Sequence, residues 1–472
     1  MSAVTTLTGS SSAAGRRDGG WERAAPISFW MDDPAAPPPL PPLDRPLHTE
    51  LAVVGGGFSG LWTALLAKQA DPGLDVVLLE GERVAWAATG RNGGFCEASL
   101  THGEPNGRNR FPDEYEVLAR LGQDNLEAID AFVRQRRLDC GWERTGTLSV
   151  ATEAWQVDEL RGGGPQPEDW LDAAALRAEV DSPTYLAGRW DRDGGAIVNP
   201  ARLAWGLRDA CLEAGVRIFE QTTVEGLERS GRAVALATAG GQVLADRVAL
   251  GTNAFPSLLR RVRPRIVPVY DHVLMTEPLS DEQLGRIGWR NRQGIADAGN
   301  QFHYYRLTTD NRILWGGYDA IYHFGKQVRP AYDQRPATFR KLARHFFETF
   351  PQLEDVGFTH RWGGAIDTCS RFCAFFGTAL GGRVAYAAGY TGVGVGATRF
   401  GAQVMLDLLA GARTERTSLQ MVRSKPLPFP PEPLGWVVIE ATRRSIAAAD
   451  AHEGQRNAWL RLLDRIGLGF DS

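Results

Sequence analysis

Residues 50–69 read ELAVVGGGFSGLWTALLAKQ, and this stretch decides the fold. Leu51-Ala52-Val53-Val54 is a short apolar run suited to a buried parallel strand. Gly55, Gly57 and Gly60 follow in G-x-G-x-x-G spacing, enclosing Phe58 and Ser59. Leu61, Leu65 and Leu66 mark the inner face of a helix. Gly55 allows the tight turn, Gly57 lets the backbone approach a pyrophosphate, and Gly60 lets helix and strand pack closely. The amides and dipole of the helix N-terminus face the anion.

The surroundings agree in register. Asp75-Val76-Val77-Leu78-Leu79 reads as a second strand ending at Glu80, twenty positions after Gly60. A carboxylate there accepts hydrogen bonds from both adenosine ribose hydroxyls. Gly81 and Arg83 follow as further candidate contacts. This turn alone fits NAD and FAD equally.

Length and composition bound the rest. A chain of 472 residues implies two packed domains. Apolar content of 43% and charge of 23% are those of a soluble globular protein. A net charge of −4 argues against a nucleic-acid surface. The five cysteines, 96, 140, 211, 369 and 373, are scattered and odd in number, which fits a reducing compartment. Cys369 and Cys373 lack partners at metal-site spacing, so no metal is expected. No run approaches the roughly 20 apolar residues of a membrane span. The N-terminus has no apolar signal core. A cytoplasmic protein with no membrane or nucleic-acid partner is expected.

The pattern along the chain gives α/β plus α+β architecture. Residues 1–46 form a disordered, then Pro-rich, lead-in. A Rossmann-like, discontinuous cofactor domain is expected over 47–110, 190–265 and 360–415. It includes the strand Val248-Ala249-Leu250-Gly251-Thr252-Asn253, which ends in small residues. A substrate domain on an antiparallel sheet is expected over 111–189 and 266–359. A tail at 416–472 carries a helix near 436–465.

A second strand–turn–helix lies near the C-terminus. Arg383–Ala388 leads into Gly389, Tyr390, Thr391, Gly392, Val393 and Gly394, followed by a long helix. One helix start neutralises a pyrophosphate. A second suits the N1–O2 edge of a flavin, which becomes anionic on reduction. An NAD enzyme has no need of it at its ring. The pair therefore favours FAD.

These stretches resemble the D-amino-acid-oxidase-like superfamily of FAD-dependent oxidoreductases. The resemblance is nearest to the gamma-glutamylputrescine oxidoreductase branch, with glycine and sarcosine oxidases as cousins. It rests on VVGGGFSGLW at 53–62, VAWAATGRNGGF at 84–95, YYRLTTDNRILWGG at 304–317, WGGAID at 362–367 and GYTGVGV at 389–395. It implies that Thr89, Gly90, Arg91, Asn92, Gly93 and Gly94 run beside the flavin, and that the Val224 backbone meets the adenine. Sarcosine oxidases tether FAD through a Cys, where this chain has Gly363-Gly364-Ala365. Non-covalent FAD is therefore expected. They also place a Lys over the flavin to activate oxygen, where this chain offers Leu314 or Trp315.

The implied reaction oxidises a C–N bond of a small amine or amino acid by hydride transfer to flavin N5. Imine hydrolysis and reoxidation by O2 to H2O2 follow. A dehydrogenase with another acceptor, or a tailoring enzyme with an unusual nitrogen substrate, stays open. The strand His303-Tyr304-Tyr305-Arg306 is the candidate substrate wall. Alternation puts His303 and Tyr305 on one face, Tyr304 and Arg306 on the other. His303 is either a proton acceptor or a structural histidine. Arg306 clamps a carboxylate or phosphonate if it faces the site, and is a surface charge otherwise. Asp271 attracts a cationic amine or is an edge-strand charge. Tyr390 contacts ring or substrate, or packs in the core.

Overall fold

The computed structural model describes residues 19–162, 169–465 and 468. Residues 1–18, most of the stretch expected to be disordered, lie outside the described residues. The elements that position the site run in chain order as β1 (Leu47–Val54), α1 (Phe58–Ala70), β2 (Val76–Leu79), β3 (Phe95–Glu97), α2 (Tyr115–Arg136), β4 (Thr147–Ala151), α3 (Pro200–Glu213), β5 (Arg217–Phe219), β6 (Gly241–Leu250) and β7 (Val267–Thr276). Then come β8 (Gly294–Asp297), β9 (His303–Leu307), β10 (Ile313–Gly317), α4 (Pro336–Thr349), β11 (Phe358–Thr368), β12 (Phe375–Ala379), β13 (Val384–Ala388), α5 (Gly394–Ala410), α6 (Leu434–Asp450) and α7 (Ala458–Arg465).

Two large sheets carry the molecule. The first has eight strands, with β12-β13-β6-β1-β2-β5 as its main path. β1 runs parallel to both β6 and β2, with Val54 level with Leu250 and Leu79. Its strands come from three separate stretches of chain, as a discontinuous Rossmann-like domain requires. Residues 51–54 of β1 and all of β2 are buried on both faces, by α1, α3 and α5 on one side and a second apolar layer on the other, so these residues read as continuous apolar runs.

The second sheet has nine strands, ordered 321–322, β7, β10, β9, β8, β4, 187–191 and 170–172, with β11 on β7. It is antiparallel except where β8 pairs with β4. One face packs on α4 through Phe339, Phe346 and Phe350. The other face turns toward the first domain.

Four segments differ from the sequence reading. β11 pairs with β7 from Phe358 to Thr368, so the whole strand, including the start of the 360–415 stretch, belongs to the substrate sheet. Helix α2 buries Leu118, Leu126 and Ile129 in the core of the first domain rather than under the second sheet. Among the described residues the tail holds a short helix at Gln420–Arg423 and then α6 and α7. From Gly19 onward the lead-in is folded structure. Trp21 is buried in the substrate-sheet core and Trp30 in the first domain's core, so the segment bridges both. Its prolines lie on the first domain, with the Pro37 and Pro38 carbonyls accepting from Arg83 and Arg208. Leu40 N–H donates to Glu220, and Leu43 N–H to Thr222.

Candidate active site

The two glycine-rich turns face one another. Gly55 has φ +109°, and a Cβ there would meet the Gly251 carbonyl oxygen at 2.5 Å. A Cβ on Gly60 would lie 1.9 Å from the Gly55 carbonyl oxygen, so helix and strand close only without it. Gly57 abuts Thr89 Oγ1, which accepts the Phe58 N–H at 3.1 Å. Ser59, the next residue of the first turn of α1, lines the cavity, and its N–H has no intrahelical acceptor. Glu80 Oε2 accepts the Gly56 N–H, and its Oε1 accepts the Glu82 N–H. Burial raises its carboxyl despite these bonds.

In the second turn, Asp367 organises the glycine run. Its Oδ2 accepts the Gly389 N–H at 2.6 Å, and Tyr390 and Thr391 amides also point to it. Burial pushes this carboxyl up to about 6. Tyr390 O–H lies 3.3 Å from Ser59 Oγ, which joins the starts of the two nucleotide helices. The ring is buried and wedged against Gly401, so Tyr390 acts as a bridge between turns.

A single cavity of about 2400 Å³ runs from Glu80 and Val224, past Gly57 and Thr89, to Gly392 and Gly394. It continues under the substrate sheet to Asp271 and Tyr304 and out to the C-terminal helices. Ligand pockets are typically about 300–1,000 Å³, so this one has room for a dinucleotide and a substrate together. The amide-lined helix start, the Gly57 cradle and the Glu80 carboxylate fit the pyrophosphate and ribose of FAD. The start of α5 fits the flavin edge. Phe58, Ser59, Gly81, Arg91, Asn92, Gly93, Gly251, Thr391 and Val393 also line this cavity.

The remaining candidates do other work. Arg83 pairs with Glu220 at 3.1 Å and holds the lead-in. Gly90 lies against Met31, and Gly94 (φ +74°) against the Val198 carbonyl and Arg306. These two glycines admit neighbouring chain rather than cofactor. Gly389 admits Cys369 Sγ. Arg91 pairs with Asp333 and lies over Trp86, joining the cofactor segment to the 330–333 turn.

On β9 the alternation holds, but the roles exchange. His303 and Tyr305 point away from the cavity into the α4 side. His303 Nε2 meets His345 Nδ1 at 2.8 Å, and its ring stacks on Trp315. Burial pulls its pKa down to about 3, so it stays neutral and is no proton acceptor for a cavity substrate. Tyr305 O–H bonds Tyr185 at 2.7 Å and Asp297 at 3.1 Å. Arg306 faces the first domain and is engaged there. Its Nε donates to the Gly93 carbonyl at 2.9 Å and its Nη2 to the Val198 carbonyl at 2.8 Å, with the guanidinium over Trp30. It is an interdomain clamp, not a substrate clamp.

The side chain that reaches the cavity from β9 is Tyr304, which the sequence reading passed over. Its hydroxyl donates to Asp271 Oδ2 at 2.5 Å. Asp271 therefore lies inside the cavity rather than on a sheet edge, between β10 and β11. Burial raises its carboxyl to about 6, against the lowering effect of Tyr304 and two backbone amides. Glu97 on β3 is a further cavity carboxyl raised by burial, with Asp191 adding to the effect. The alternation of β9 put Tyr304 on the face of Arg306 but carried no signal for which face meets the cavity. Nothing local marked Glu97 or Asp367.

Fold and site together define a flavin-dependent oxidoreductase. Residues 50–408 match the DAO family model, FAD dependent oxidoreductase, and the chain belongs to that family. Gamma-glutamylputrescine oxidoreductase of Escherichia coli (strain K12) is 33% identical over 389 residues, 79% of this chain and 86% of that protein. A probable oxidoreductase, OrdL, of Haemophilus influenzae is 28% identical over 398 residues, 81% of this chain and 88% of that one. Among solved structures, glycine oxidase from Geobacillus kaustophilus has the same fold, with TM-score 0.65 at 18% identity, covering 80% of this chain and 99% of that one.

Proposed function

We propose that this protein oxidises the C–N bond of an amine or amino acid, in the manner of the gamma-glutamylputrescine oxidoreductase branch. The observation that carries the reading is the Tyr304–Asp271 pair on the cavity face of the substrate sheet. Above about pH 6 Asp271 is an anion in a buried cavity, hydrogen-bonded to a phenol and to backbone amides. A buried charge without a countercharge is costly, and an ammonium group supplies that countercharge. The identity with the E. coli enzyme supports the same substrate class.

Bound there, FAD would supply the acceptor for a hydride from the carbon next to nitrogen, with O2 as the terminal oxidant giving H2O2. The protein's task is to orient the amine and exclude water. Asp271 and Tyr304 fix the nitrogen. Asp271 is also the cavity carboxylate placed to receive the ammonium proton, which must leave before the hydride does. The imine product hydrolyses to an aldehyde or keto acid. We hold FAD to be bound without a covalent link. Gly363-Gly364-Ala365 offers no sulfur, and Cys369 Sγ is turned to the Cys373 and Gly389 carbonyls.

Anaerobic mixing of the FAD-loaded protein with a panel of amines, N-methyl amino acids and amino acids tests this reading. Bleaching of the flavin absorbance by at least one amine is expected. A panel that leaves the spectrum unchanged overturns it. A second reading, a dehydrogenase with another acceptor, is favoured by one observation. Among the described residues no lysine lines the cavity, and Lys326 sits over Phe429 instead. One peroxide per turnover in air identifies the oxidase. Turnover only with an added dye or quinone identifies the dehydrogenase.

A further inference from the structure

We propose that the C-terminal helix pair α6–α7 builds an apolar lobe of the substrate cavity, and that the substrate is an amine or amino acid carrying a bulky apolar body. This rests on the amine-oxidising reading above and names its substrate class.

Both helices lie beyond the family match, which ends at residue 408. They nevertheless form cavity wall. α6 contributes Val438, Ile439 and Ile446, and α7 contributes Trp459 and Leu463. Positions 438, 439, 442, 443 and 446 share one helical face. That face is turned to the cavity, while Val437 is exposed on the other side.

The wall is fixed in place. The Asp450 carboxylate accepts the Gln301 N–H at 2.8 Å, the Asn300 N–H at 3.1 Å and Asn300 Nδ2 at 2.7 Å. Glu432 accepts the Tyr322 hydroxyl just before α6 begins. Trp459 Nε1 donates to Thr442 Oγ1 at 3.0 Å and holds α7 on α6. Asn300, Gln301 and Tyr322 themselves border the cavity. The anchors therefore set the helix face against the substrate sheet.

The lobe's charges are neutralised within the protein. Arg443 pairs with Glu440 at 2.8 Å, and Arg456 with Asp464 at 2.6 Å. Ile446, Trp459 and Leu463 also pack with Ala449 and Leu460 in the pair's own small core. What the lobe turns to the cavity is aliphatic and indole surface beside Thr442 and the paired Arg443 and Arg456. Such a wall rewards apolar surface and penalises a polar group that finds no partner. Asp271 opens into the same cavity. An amine held there extends its body toward the helix pair, and the volume suits a substrate well beyond two or three carbons.

The test uses the FAD-loaded full chain and two probes, tert-butylamine and 2-phenylpropan-2-amine. Neither has a hydrogen on the carbon next to nitrogen, so neither is oxidised. Binding is read as a shift of the flavin absorbance. The phenyl probe should bind roughly tenfold or more tightly, as a well-filled apolar pocket gives. Trp459→Ala and Ile439→Ser should each bring the two probes to within about threefold, leaving tert-butylamine unchanged. Ile439→Ser keeps the Trp459–Thr442 bond, so a loosened helix pair cannot explain its result. Equal affinities in the native protein overturn the proposal, as do variants that weaken both probes alike. If amines bleach the flavin but aryl or long alkyl bodies give no gain in kcat/KM, the lobe proposal fails alone. If no amine bleaches it, the underlying reading fails with it.

Discussion

Tyr304 on β9 donates its hydroxyl hydrogen to Asp271 on β7, with strand β10 lying between them. The ring crosses that gap because its partner on β10 is Gly316, where a Cβ would come within 2.7 Å of the Tyr304 ring. Gly93 leaves the same freedom on the opposite side, where a Cβ would lie 2.6 Å from the ring. Two glycines from two domains thus seat one phenol over one carboxylate.

Removing either partner should weaken the reaction. Hydrogen bonds to charged groups contribute about 1.5–3 kcal/mol, roughly 10- to 100-fold in kcat/KM. Asp271→Asn is expected to lose that much for a cationic amine. The native kcat/KM should rise through about pH 6 as Asp271 ionises, and the variant should lack this limb. Steady-state pH profiles decide it.

The same carboxyl makes a stability prediction of definite sign. Its folded pKa is raised from 3.8 to about 6, so the folded state holds the proton longer than the unfolded one. Stability present at pH 4 is therefore lost as pH rises toward 6. Asp271→Asn should raise the melting temperature at pH 7.5 and leave it nearly unchanged at pH 4. Thermal unfolding at the two pH values checks this.

Gly316→Ala should mimic Tyr304→Phe. The added methyl displaces the ring and breaks its bond to Asp271. Both variants should lower kcat/KM by roughly tenfold with flavin content intact. Absorbance ratios of the purified proteins establish the second condition.

Gly57→Val should yield protein with little bound flavin, because the side chain fills the space between α1 and Thr89. Glu80→Gln removes the anionic acceptor facing the Gly56 N–H. It should weaken FAD binding by roughly tenfold. Fluorescence titration of apoprotein with FAD measures both.

His303 and Arg306 separate architecture from chemistry. His303→Asn should leave the shape of the kcat/KM profile unchanged. Native His303, His272 and His345 have pKa values pulled down to about 3, 4 and 4. They contribute stability that is lost as pH falls below about 6.5, and His303→Asn should soften that acid sensitivity. Arg306→Met leaves the Gly93 and Val198 carbonyls without their donors and should destabilise by about 2–4 kcal/mol. Any rise in KM should be the same for substrates with and without a carboxylate.

Much of the cofactor domain was legible because its information is local. The turn at 55–60 carries its own explanation: glycine spacing, an apolar strand and an acid twenty residues on. The run at 389–394 is equally local. β9 was legible as a strand with two faces, since alternation is a property of the backbone. Which face met the cavity was not legible. The face of β9 is set by α4 packing on one side and β3 on the other, and neither neighbour is written into residues 303–307. For the same reason Arg306 looked available when its Nε and Nη2 were already committed to carbonyls 213 and 108 residues away.

The sequence by itself determined the phosphate-binding turn, the second helix start and the strand–helix alternation around them, because glycine geometry and apolar periodicity act over a few residues. Only the tertiary structure decided that Tyr304 and Asp271 form the cavity pair and that His303 is a core histidine. It also decided that Trp21 and Trp30 tie the lead-in to both domains, and that a helix pair beyond the family match walls the cavity. These outcomes depend on which surfaces meet across two sheets, and that meeting is fixed by long-range packing and by glycines whose missing side chains matter only once a distant ring arrives.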